Sequence, residues 1–369
     1  MTRRVLLLST IHPPTDPRIV YKIAPALSNH FQVFCCLPNA PATTHSANIR
    51  FISLPYYQGL VSRILWVHLR ALLKCWAIRP HIVHIFVPEL IPIAFLFRWA
   101  GAKVIYEIQE NLSQKFSIKT QHKSYLFRTL WALWHRMAIR NFALVLTEDA
   151  YLKSLPPTQH PVAVIHNYVD LDFVDRYASK DPTADFPVFF YCGVLSLERS
   201  FDTMLEAFAL LKKEFPKFKV HLFGQQRLSN QTVERLMSQT QVEANLLFYG
   251  YTDLKIALAK AADATAGIAL LKPLADYPDS YSTKIFEYMA LQLPVITSNF
   301  ELYRKVVEKH ACGFCIDPSQ PIELANKLRW LYDNPDKALQ MGENGRNAAA
   351  SYYNWSHEQL KLIRLYEQL

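Results

Sequence analysis

Residues 266–299 read AGIALLKPLADYPDSYSTKIFEYMALQLPVITSN and contain the pattern that decides the fold. Two short apolar runs, Ala266–Leu270 and Pro294–Ser298, enclose a polar loop and a segment whose apolar residues recur at helical spacing. The short runs are typical of buried strands, and the enclosed segment predicts a helix. A helix between two buried strands is the unit from which parallel sheets are built, so this stretch predicts an α/β fold.

The same alternation of strands and helices extends along the chain in both directions. In the first half we predict strands at Val5–Ser9, Gln32–Leu37, Ile49–Ser53, Ile82–Phe86, Lys103–Glu107, Leu144–Thr147 and Ala163–His166. In the second half we predict them at Val188–Cys192, Lys219–Phe223, Leu246–Tyr249, Ala266–Leu270, Pro294–Ser298 and Gly313–Ile316. The polar segment Asn167–Pro187 separates the two sets. The sequence therefore predicts two Rossmann-like domains with doubly wound parallel sheets, spanning residues 1–170 and 185–350.

Composition excludes several other classes of protein. Of 369 residues, 51% are hydrophobic, which gives ample core and excludes a disordered chain. Only nine residues are glycine, where average usage of about 7% would give roughly 26. No glycines are spaced as in GxGxxG or GxxxxGK, so a glycine-fingerprint dehydrogenase and a P-loop NTPase are both disfavoured.

The positive charge belongs to one half of the chain. Residues 1–165 carry a net charge of +12 and residues 166–369 a net charge of −3, so the total of +9 arises in the first half. No acidic residue lies between Asp16 and Glu89, and none between Glu110 and Glu148. Such asymmetry indicates an anionic partner for the first domain, either a nucleic acid or a membrane surface.

The cysteines and the N-terminal segment indicate a reducing cytoplasm. Six cysteines occur, and the CxxC pair Cys312 and Cys315 has no second pair at zinc spacing, which favours buried thiols and predicts no metal site. The apolar run after Arg4 is too short for a signal peptide. No stretch of about 18 apolar residues predicts a membrane-spanning helix.

Residues around the start of the helix near Lys284 form a candidate anion site. Ser282 and Thr283 are good N-cap residues, and a helix N-terminus with a lysine beside it can hold a phosphate. Glu287 lies one turn further, within reach of ribose hydroxyls on the same ligand. The pattern fits a nucleotide-sugar site, but Lys284 and Glu287 also fit an ordinary surface ion pair at i,i+3.

Three glycines support a site at one edge of the second sheet. Gly193, Gly224 and Gly250 each directly follow a predicted strand. Ligands of open parallel sheets bind outside the carboxyl ends of the strands, where a missing side chain lets a ligand approach the backbone. Each glycine alone also fits an ordinary tight turn.

Four segments resemble family 4 glycosyltransferases of the GT-B fold, in the order that family has them. STKIFEYMALQLPVI is similar to the family's donor-site signature, and FYCGVLSLERSFDTMLEAF (190–208) to its strand, G-x-L-x-x-x-R-G and helix unit. HIVHIFVPELIPIAFLFRWAGAKVIYEIQEN (81–111) resembles the HxHDPEL…YDxHED run, and HPPTDPRIVYKIAPAL (12–27) the opening loop. The ending YYNWSHEQLKLIRLYEQL resembles the family's last helix. The resemblance implies two domains facing a central cleft, and a C-terminal segment, 351–369, crossing back to the first domain.

The resemblance also implies a retaining transfer from a UDP- or GDP-linked sugar, without a cofactor or a metal ion. Arg199 and Lys284 would neutralise the diphosphate as charge builds on the leaving group, and Glu287 would hold the ribose. Where the family often has a glutamate for the donor sugar, this chain has Asp279, which either serves or leaves that contact to a backbone group. The remaining donor-binding residues would be Gly193, Gly224, Tyr281, Ser282 and Thr283. The acceptor-side residues would be His12, Asp16, Arg18, Glu89, Glu110 and Asn111.

Several further positions depart from the family pattern, among them Phe86 and Val87, which replace the His and Asp of HDPEL. The histidine of HED is Gln109 here, which can hydrogen-bond but cannot change its charge near neutral pH; we interpret it as a variant catalytic position. Two expected glycines are Ser200 and Gln292. Asp16 and Arg18, in the opening loop, either shape the acceptor site or pair with each other.

Two basic segments of the first half predict contact with an anionic membrane. Leu60–Arg79 and Lys115–Arg140 combine lysines and arginines with Trp and Leu, a composition that suits a membrane interface. The predicted membrane-facing residues are Arg63, Trp66, Arg70, Lys74, Lys119 and Lys123. A core helix with a solvated basic face is the simpler alternative, and a nucleic-acid partner is disfavoured because no recognition motif is present.

The sequence thus predicts a glycosyltransferase that acts on a glycan or lipid-linked acceptor. We expect it in the cytoplasm, peripherally attached to the inner face of the membrane. The alternatives are a non-catalytic sugar- or nucleotide-binding subunit, and an epimerase or phosphorylase on the same fold.

Overall fold

A computed structural model of the chain describes residues 2–41, 44–46, 48–57, 59–110, 125–178, 186–261 and 264–369. The chain divides into two compact units. The first unit comprises Met1–Asn167 together with Trp355–Leu369, and the second comprises Tyr168–Asn354. The second unit begins upstream of the predicted residue 185.

The first unit is built on a mainly parallel sheet. Its strands, numbered β1 to β8 in chain order, are Arg4–Leu8, Gln32–Pro38, Thr44–Ser46, Ile49–Leu54, Ile82–Ile85, Lys103–Ile108, Ala143–Leu146 and Val162–Val164. In the described residues they form one sheet of order β3-β4-β2-β1-β5-β6-β7-β8. Only β3 runs antiparallel to its neighbour, β4. The sequence analysis missed β3, because its three polar residues THS show no apolar alternation.

Helices cover this sheet and connect its strands. They are Ala24–Ser28, Leu60–Ser62, His68–Trp76, Ile91–Trp99, Tyr125–Asn141, Asp149–Lys153 and Trp355–Glu367, with π-helical turns at Ile19–Ile23 and Arg63–Val67 and a 3₁₀ turn at Pro88–Leu90. The C-terminal helix Trp355–Glu367 packs Leu362, Leu365 and Tyr366 into the same apolar cluster as Val5 of β1. The first unit therefore consists of two separate stretches of sequence.

The second unit contains a fully parallel sheet. Its strands, β9 to β14, are Val188–Cys192, Lys219–Phe223, Leu246–Gly250, Ala266–Ala269, Val295–Ser298 and Gly313–Ile316. Their order in the described residues is β11-β10-β9-β12-β13-β14. All of the pairs between them are parallel. The prediction of two Rossmann-like parallel-sheet domains is confirmed.

The helices of the second unit alternate with its strands, as predicted, with one addition. They are Leu171–Tyr177, Phe201–Glu214, Asn230–Thr240, Leu254–Lys260, Thr283–Ala290, Glu301–Val307, Pro321–Asp333 and Pro335–Tyr352. Leu171–Tyr177 lies in the segment that we predicted to be a linker. It buries Leu171 and Val174 in the core of the second unit, and the Asp170 side chain caps it by accepting from the Phe173 amide.

Two positions where the resemblance predicts glycine keep a left-handed backbone. Ser200 has a φ of 54° and Gln292 a φ of 59°. Gln292 follows the helix Thr283–Ala290, where its amide donates to Met289 and the Leu293 amide donates to Tyr288. These two bonds form a Schellman motif, which usually places glycine at this position. The fold thus retains the turn although the sequence has lost the residue that best fits it.

Candidate functional site

The glycines at the carboxyl edge of the second sheet pack backbone against backbone. The Gly193 amide donates to Phe223, and the Gly224 amide donates to Gly250. A Cβ added at Gly224 would lie 1.9 Å from the carbonyl oxygen of Gly193, and the φ of Gly224 is 138°. Only glycine fits there, since it has no side chain and tolerates a positive φ.

Lys284 lies over Gly193, at the start of the helix Thr283–Ala290. A Cβ on Gly193 would lie 2.2 Å from Cε of Lys284 and 2.8 Å from its Nζ. Burial and the nearby guanidinium of Arg199 lower the pKa of Lys284 to about 8, although Glu287 partly opposes the shift. The structure therefore brings together four of the predicted donor-site residues, with two cations close enough to repel each other.

The turn that follows β9 positions Arg199. It ends the 3₁₀ turn Leu197–Arg199, and the left-handed Ser200 then starts the helix Phe201–Glu214. Nearby, the backbone amide of Lys272 donates to Glu198 and its amine donates to Asp202 at 2.7 Å. That ion pair fixes the turn beside Arg199.

Cys192, the last residue of β9, is adjacent to this cluster but is not a nucleophile. Burial and the Glu287 carboxylate raise the pKa of its thiol to about 12, against a smaller opposing effect of Lys284. Thiol chemistry requires the thiolate, so a protonated thiol at neutral pH leaves Cys192 inert.

The loop before Lys284 is held from below by Tyr303. The Tyr303 hydroxyl donates to the backbone oxygens of Ser280, at 3.0 Å, and Tyr277, at 3.4 Å. Ser282 occupies the predicted N-cap position, but within the described residues its side chain makes no capping hydrogen bond. The Ser282 side chain thus leaves the first turn uncapped, although the Ile285 amide donates to the Ser282 carbonyl oxygen at 3.1 Å.

The remaining donor-side residues border this loop. Tyr281 packs edge-on against Phe286, and Thr283 is the first helical residue. Asp279 ends a 3₁₀ turn, Tyr277–Asp279, and its side chain is exposed. The arrangement combines fixed cations, a helix N-terminus and glycine backbone, which together suit a phosphate group.

In the first unit, the loop after β1 carries two of the acceptor-side residues. Oγ of Ser9 lies 2.7 Å from Nδ1 of His12. Asp16 accepts from the Ile19 amide at 2.8 Å and so caps the following π-helical turn. Asp16 therefore orders the loop backbone.

Arg18 lies below this loop in a buried ion pair. Its guanidinium donates to both carboxylate oxygens of Glu107, at 2.9 and 3.2 Å, and to the carbonyl oxygen of Ile165 at 2.9 Å. Arg18 therefore does not line the acceptor side as predicted, and it does not pair with Asp16. Burial is the reason, because a buried cation needs a buried anion, which Glu107 supplies.

Glu107 lies at the centre of a network that reaches the C-terminal helix. Burial alone would raise its pKa, but Arg18 and His84 outweigh that effect and hold the pKa well below its usual range. His84 lies 3.5 Å from Glu107 through Nε2 and 2.7 Å from the Tyr366 hydroxyl through Nδ1. Burial lowers the pKa of His84, although Glu107 opposes this.

Gln109 extends from this network at the end of β6. Its amide Nε2 donates to Glu107 at 2.6 Å. The side chain is half-buried, and the bond turns its carbonyl oxygen away from Glu107. Gln109 is thus held by an amide that donates to Glu107. The next residue, Glu110, is exposed, and Asn111 lies outside the described residues.

Glu89 and Arg63, which we assigned to different functions, bind each other. The Arg63 guanidinium donates to both Glu89 oxygens at 2.8 Å, and the Thr10 hydroxyl also donates to Glu89. Glu89 is buried and Arg63 is only about one-fifth exposed. The prediction that Arg63 faces a membrane is therefore wrong, because the buried carboxylate draws it inward.

The segment Leu60–Trp76 exposes the other predicted membrane-facing residues that the structure describes. Trp66 is 59% exposed, and Arg70 and Lys74 are also on the surface. Lys119 and Lys123 lie outside the described residues. Among the described residues, none of the helices has the length and apolar character needed to cross a bilayer. Nor do any three His, Cys, Asp or Glu side chains of these residues cluster as metal ligands.

Comparison with known families identifies the second unit. The profile of the family described as "Glycosyl transferases group 1" matches residues 176–348. The second unit is a glycosyltransferase group 1 domain. EpsD of Bacillus subtilis (strain 168), named as a glycosyltransferase, is 24% identical over 162 residues, which span 44% of this chain and 40% of EpsD. The chain thus matches less than half of that relative's length.

Solved structures share the fold over nearly the whole chain. Sucrose-phosphate synthase from Thermosynechococcus elongatus has a TM-score of 0.79 at 18% identity, covering 99% of this chain and 98% of its own. Anabaena HepE in complex with UDP-glucose has a TM-score of 0.75 at 13% identity, covering 100% of both chains. The chain therefore has the GT-B fold, as the resemblance implied.

Sequence reasoning missed two buried polar residues of the first unit. Glu107 and His84 were not among the predicted site residues, although both are buried and hold Gln109 and the C-terminal helix in place. A signal was present, since each is a polar residue inside an otherwise apolar strand, KVIYEI or IVHI. Buried polar groups in such strands need partners, and the partners are distant in sequence.

Proposed function

We propose that the chain transfers a sugar from a nucleotide-diphosphate sugar to a glycan or lipid-linked acceptor, with retention of anomeric configuration. The observation that carries this proposal is the pair of cations, Arg199 and Lys284, beside the bare backbone of Gly193. Two cations forced together in a half-buried site are stabilised by an anion with more than one charge. A diphosphate has that charge.

In the proposed complex the diphosphate lies between Arg199 and Lys284. The backbone amides of Tyr281, Ser282 and Thr283 contact phosphate oxygens, and Glu287 holds the ribose hydroxyls. When the bond from the sugar to the diphosphate breaks, negative charge grows on the leaving oxygen. Fixed cations aimed at that oxygen stabilise the transition state more than the ground state, which lowers the barrier.

The proposal requires neither a metal ion nor a protein nucleophile. Arg199 and Lys284 supply the positive charge that a metal would otherwise supply to the leaving group. The acceptor oxygen bonds to the anomeric carbon on the face that the diphosphate leaves, and the departing phosphate takes the proton of that hydroxyl; attack on this face gives retention. Because the Gln109 amide nitrogen is bound to Glu107, its carbonyl oxygen is the atom that we propose accepts a hydrogen bond from a substrate hydroxyl.

We propose that the nucleotide is UDP, and the experiment below compares it with GDP. The bound UDP-glucose in the structurally similar Anabaena HepE supports this choice. We further propose that the protein works at the cytoplasmic face of a membrane. The exposed Trp66, Arg70 and Lys74 of the first unit support that location.

A panel of UDP- and GDP-sugars, with and without membrane extract, tests the proposal. We expect UDP to raise the melting temperature, because a ligand that binds only the folded state stabilises it. Glu287→Ala and Lys284→Ala should each abolish that shift, whereas Lys213→Ala, an exposed lysine of the same unit, should preserve it. No binding of any common nucleotide sugar would refute the proposal. Binding without turnover would indicate a non-catalytic subunit, and turnover without an acceptor an epimerase.

A further inference from the structure

A groove in the first unit lies where two parallel strands end. It encloses about 480 Å³ between the carboxyl ends of β2 and β4 and the helix His68–Trp76. Asn39, Ser53 and Pro55 form one wall, and Arg70, Leu73 and Lys74 form the other. The amide of Asn39 donates to Leu54 at 2.8 Å, which closes the floor.

The groove is positively charged and has no counter-charge of its own. Arg70 and Lys74 are four residues apart on one helix, so their like charges repel. Every wall residue comes from residues 17–88, a segment without a single Asp or Glu. Nζ of Lys74 donates to the carbonyl oxygen of Ser53 at 2.7 Å, which holds that amine across the groove. An anion between Arg70 and Lys74 would relieve the repulsion.

The helix that carries these cations, together with the π-helical turn Arg63–Val67 before it, also exposes large apolar side chains. Leu65, Leu69 and Leu73 are 61%, 58% and 66% exposed, and Trp66 and Trp76 are 59% and 48% exposed. The opposite face buries Val67, Ala71 and Cys75 in the core. One face of this helix packs on the core, and the opposite face exposes apolar side chains with cations beside them. Such a face suits the interface of a membrane.

We propose that this groove binds the phosphate of an anionic phospholipid headgroup when the helix face lies on a bilayer. The tryptophans and leucines enter the acyl boundary, and the groove beside them is then at headgroup level. Arg70 donates to the phosphate oxygens in pairs, and Lys74 contributes a point charge. The inference deepens the proposed membrane location and rests on it.

Vesicle co-sedimentation of the full chain tests the proposal. Binding to phosphatidylcholine vesicles containing phosphatidylglycerol is compared for the unaltered chain and for Arg70→Gln/Lys74→Gln. Each cation near an anionic surface contributes about 1 kcal/mol, or about fivefold in binding, so the double variant should bind about 30-fold more weakly. Thermal unfolding of the variant checks that it is folded. The affinity for UDP should be unchanged, which separates failure of this inference from failure of the donor site.

A matched control removes the same charge elsewhere on the same sheet. Arg50 and Lys103 are exposed and lie near the amino ends of β4 and β6, at the opposite edge from the groove. Arg50→Gln/Lys103→Gln should retain nearly full binding. Equal losses in the two double variants would overturn the proposal, since they would show only diffuse attraction by net charge.

The phosphate itself is tested with a second kind of vesicle. Phosphatidylcholine vesicles with cholesteryl hemisuccinate have an anionic surface without the phosphatidylglycerol phosphate, at a matched surface potential. We expect weaker binding to these vesicles, and a smaller effect of Arg70→Gln/Lys74→Gln. Equal binding to both kinds of vesicle would overturn the assignment of a phosphate site.

Discussion

Lys284 should make the binding of UDP depend on pH in the slightly alkaline range. Burial and Arg199 lower the pKa of its amine to about 8 in the free protein, against the opposing effect of Glu287. A bound diphosphate favours the charged amine and raises its pKa, so the complex keeps a proton that the free protein loses. As the pH rises through about 8, binding must therefore recapture a proton, and the affinity falls.

The size of the effect follows from the fraction of protein that is protonated. With a pKa of about 8, that fraction is about nine-tenths at pH 7 and about one-tenth at pH 9. The apparent Kd for UDP, which scales inversely with the competent fraction, should rise about tenfold over this range. Isothermal titration calorimetry in buffers of different ionisation enthalpy should show about half a proton taken up per UDP at pH 8.

Lys284→Arg is the matched control for this prediction. Arginine keeps its charge throughout this range, so the variant should show no rise in Kd from this position. Ionisation of the ligand affects both proteins alike and cancels in the ratio of their Kd values. If that ratio stays constant from pH 7 to pH 9, the combination of a lowered Lys284 pKa and a contact with the diphosphate is refuted.

Three further substitutions test individual contacts. Gly193→Ala should displace the flexible end of Lys284, weakening UDP binding about tenfold in calorimetry with little change in melting temperature; unchanged affinity would contradict the contact. Gln292→Gly should stabilise the protein by about 0.5–1 kcal/mol in urea unfolding, because glycine relieves the left-handed strain, while Gln292→Ala should not. Tyr366→Phe should cost about 1–3 kcal/mol in the same assay, since it leaves Nδ1 of buried His84 unpaired; a loss within experimental error would argue against that bond.

The strands and the donor cluster could be predicted because their signals are local. Val188–Cys192 and Gly313–Ile316 were predicted with the bounds that they have in the structure. Lys284 and Glu287 are one turn apart on one helix, so sequence spacing alone placed them together. The roles of these residues in donor binding stay predictions. The helix Leu171–Tyr177 was missed because it is short and buries only Leu171 and Val174, whereas the residues around it are mostly polar.

The first-unit network could not be predicted because its pairs are distant in sequence. Arg18 and Glu107 are 89 residues apart, and His84 and Tyr366 are 282 apart. Local patterns give the charge of each side chain but not its partner. Arg63 illustrates the consequence, because the sequence placed it with Arg70 in a membrane-facing basic segment, whereas a buried carboxylate decided its position.

The discontinuous first unit has a consequence for synthesis on the ribosome. Trp355–Glu367, which places Trp355, Leu362 and Tyr366 in the core of the first unit, is translated only after the whole of Tyr168–Asn354. The nascent first unit must therefore wait, with an uncovered apolar surface, while the second unit emerges. Domains generally fold as units during translation, and exposed apolar surface makes waiting intermediates prone to aggregation. The second unit can thus complete its core before the first unit does.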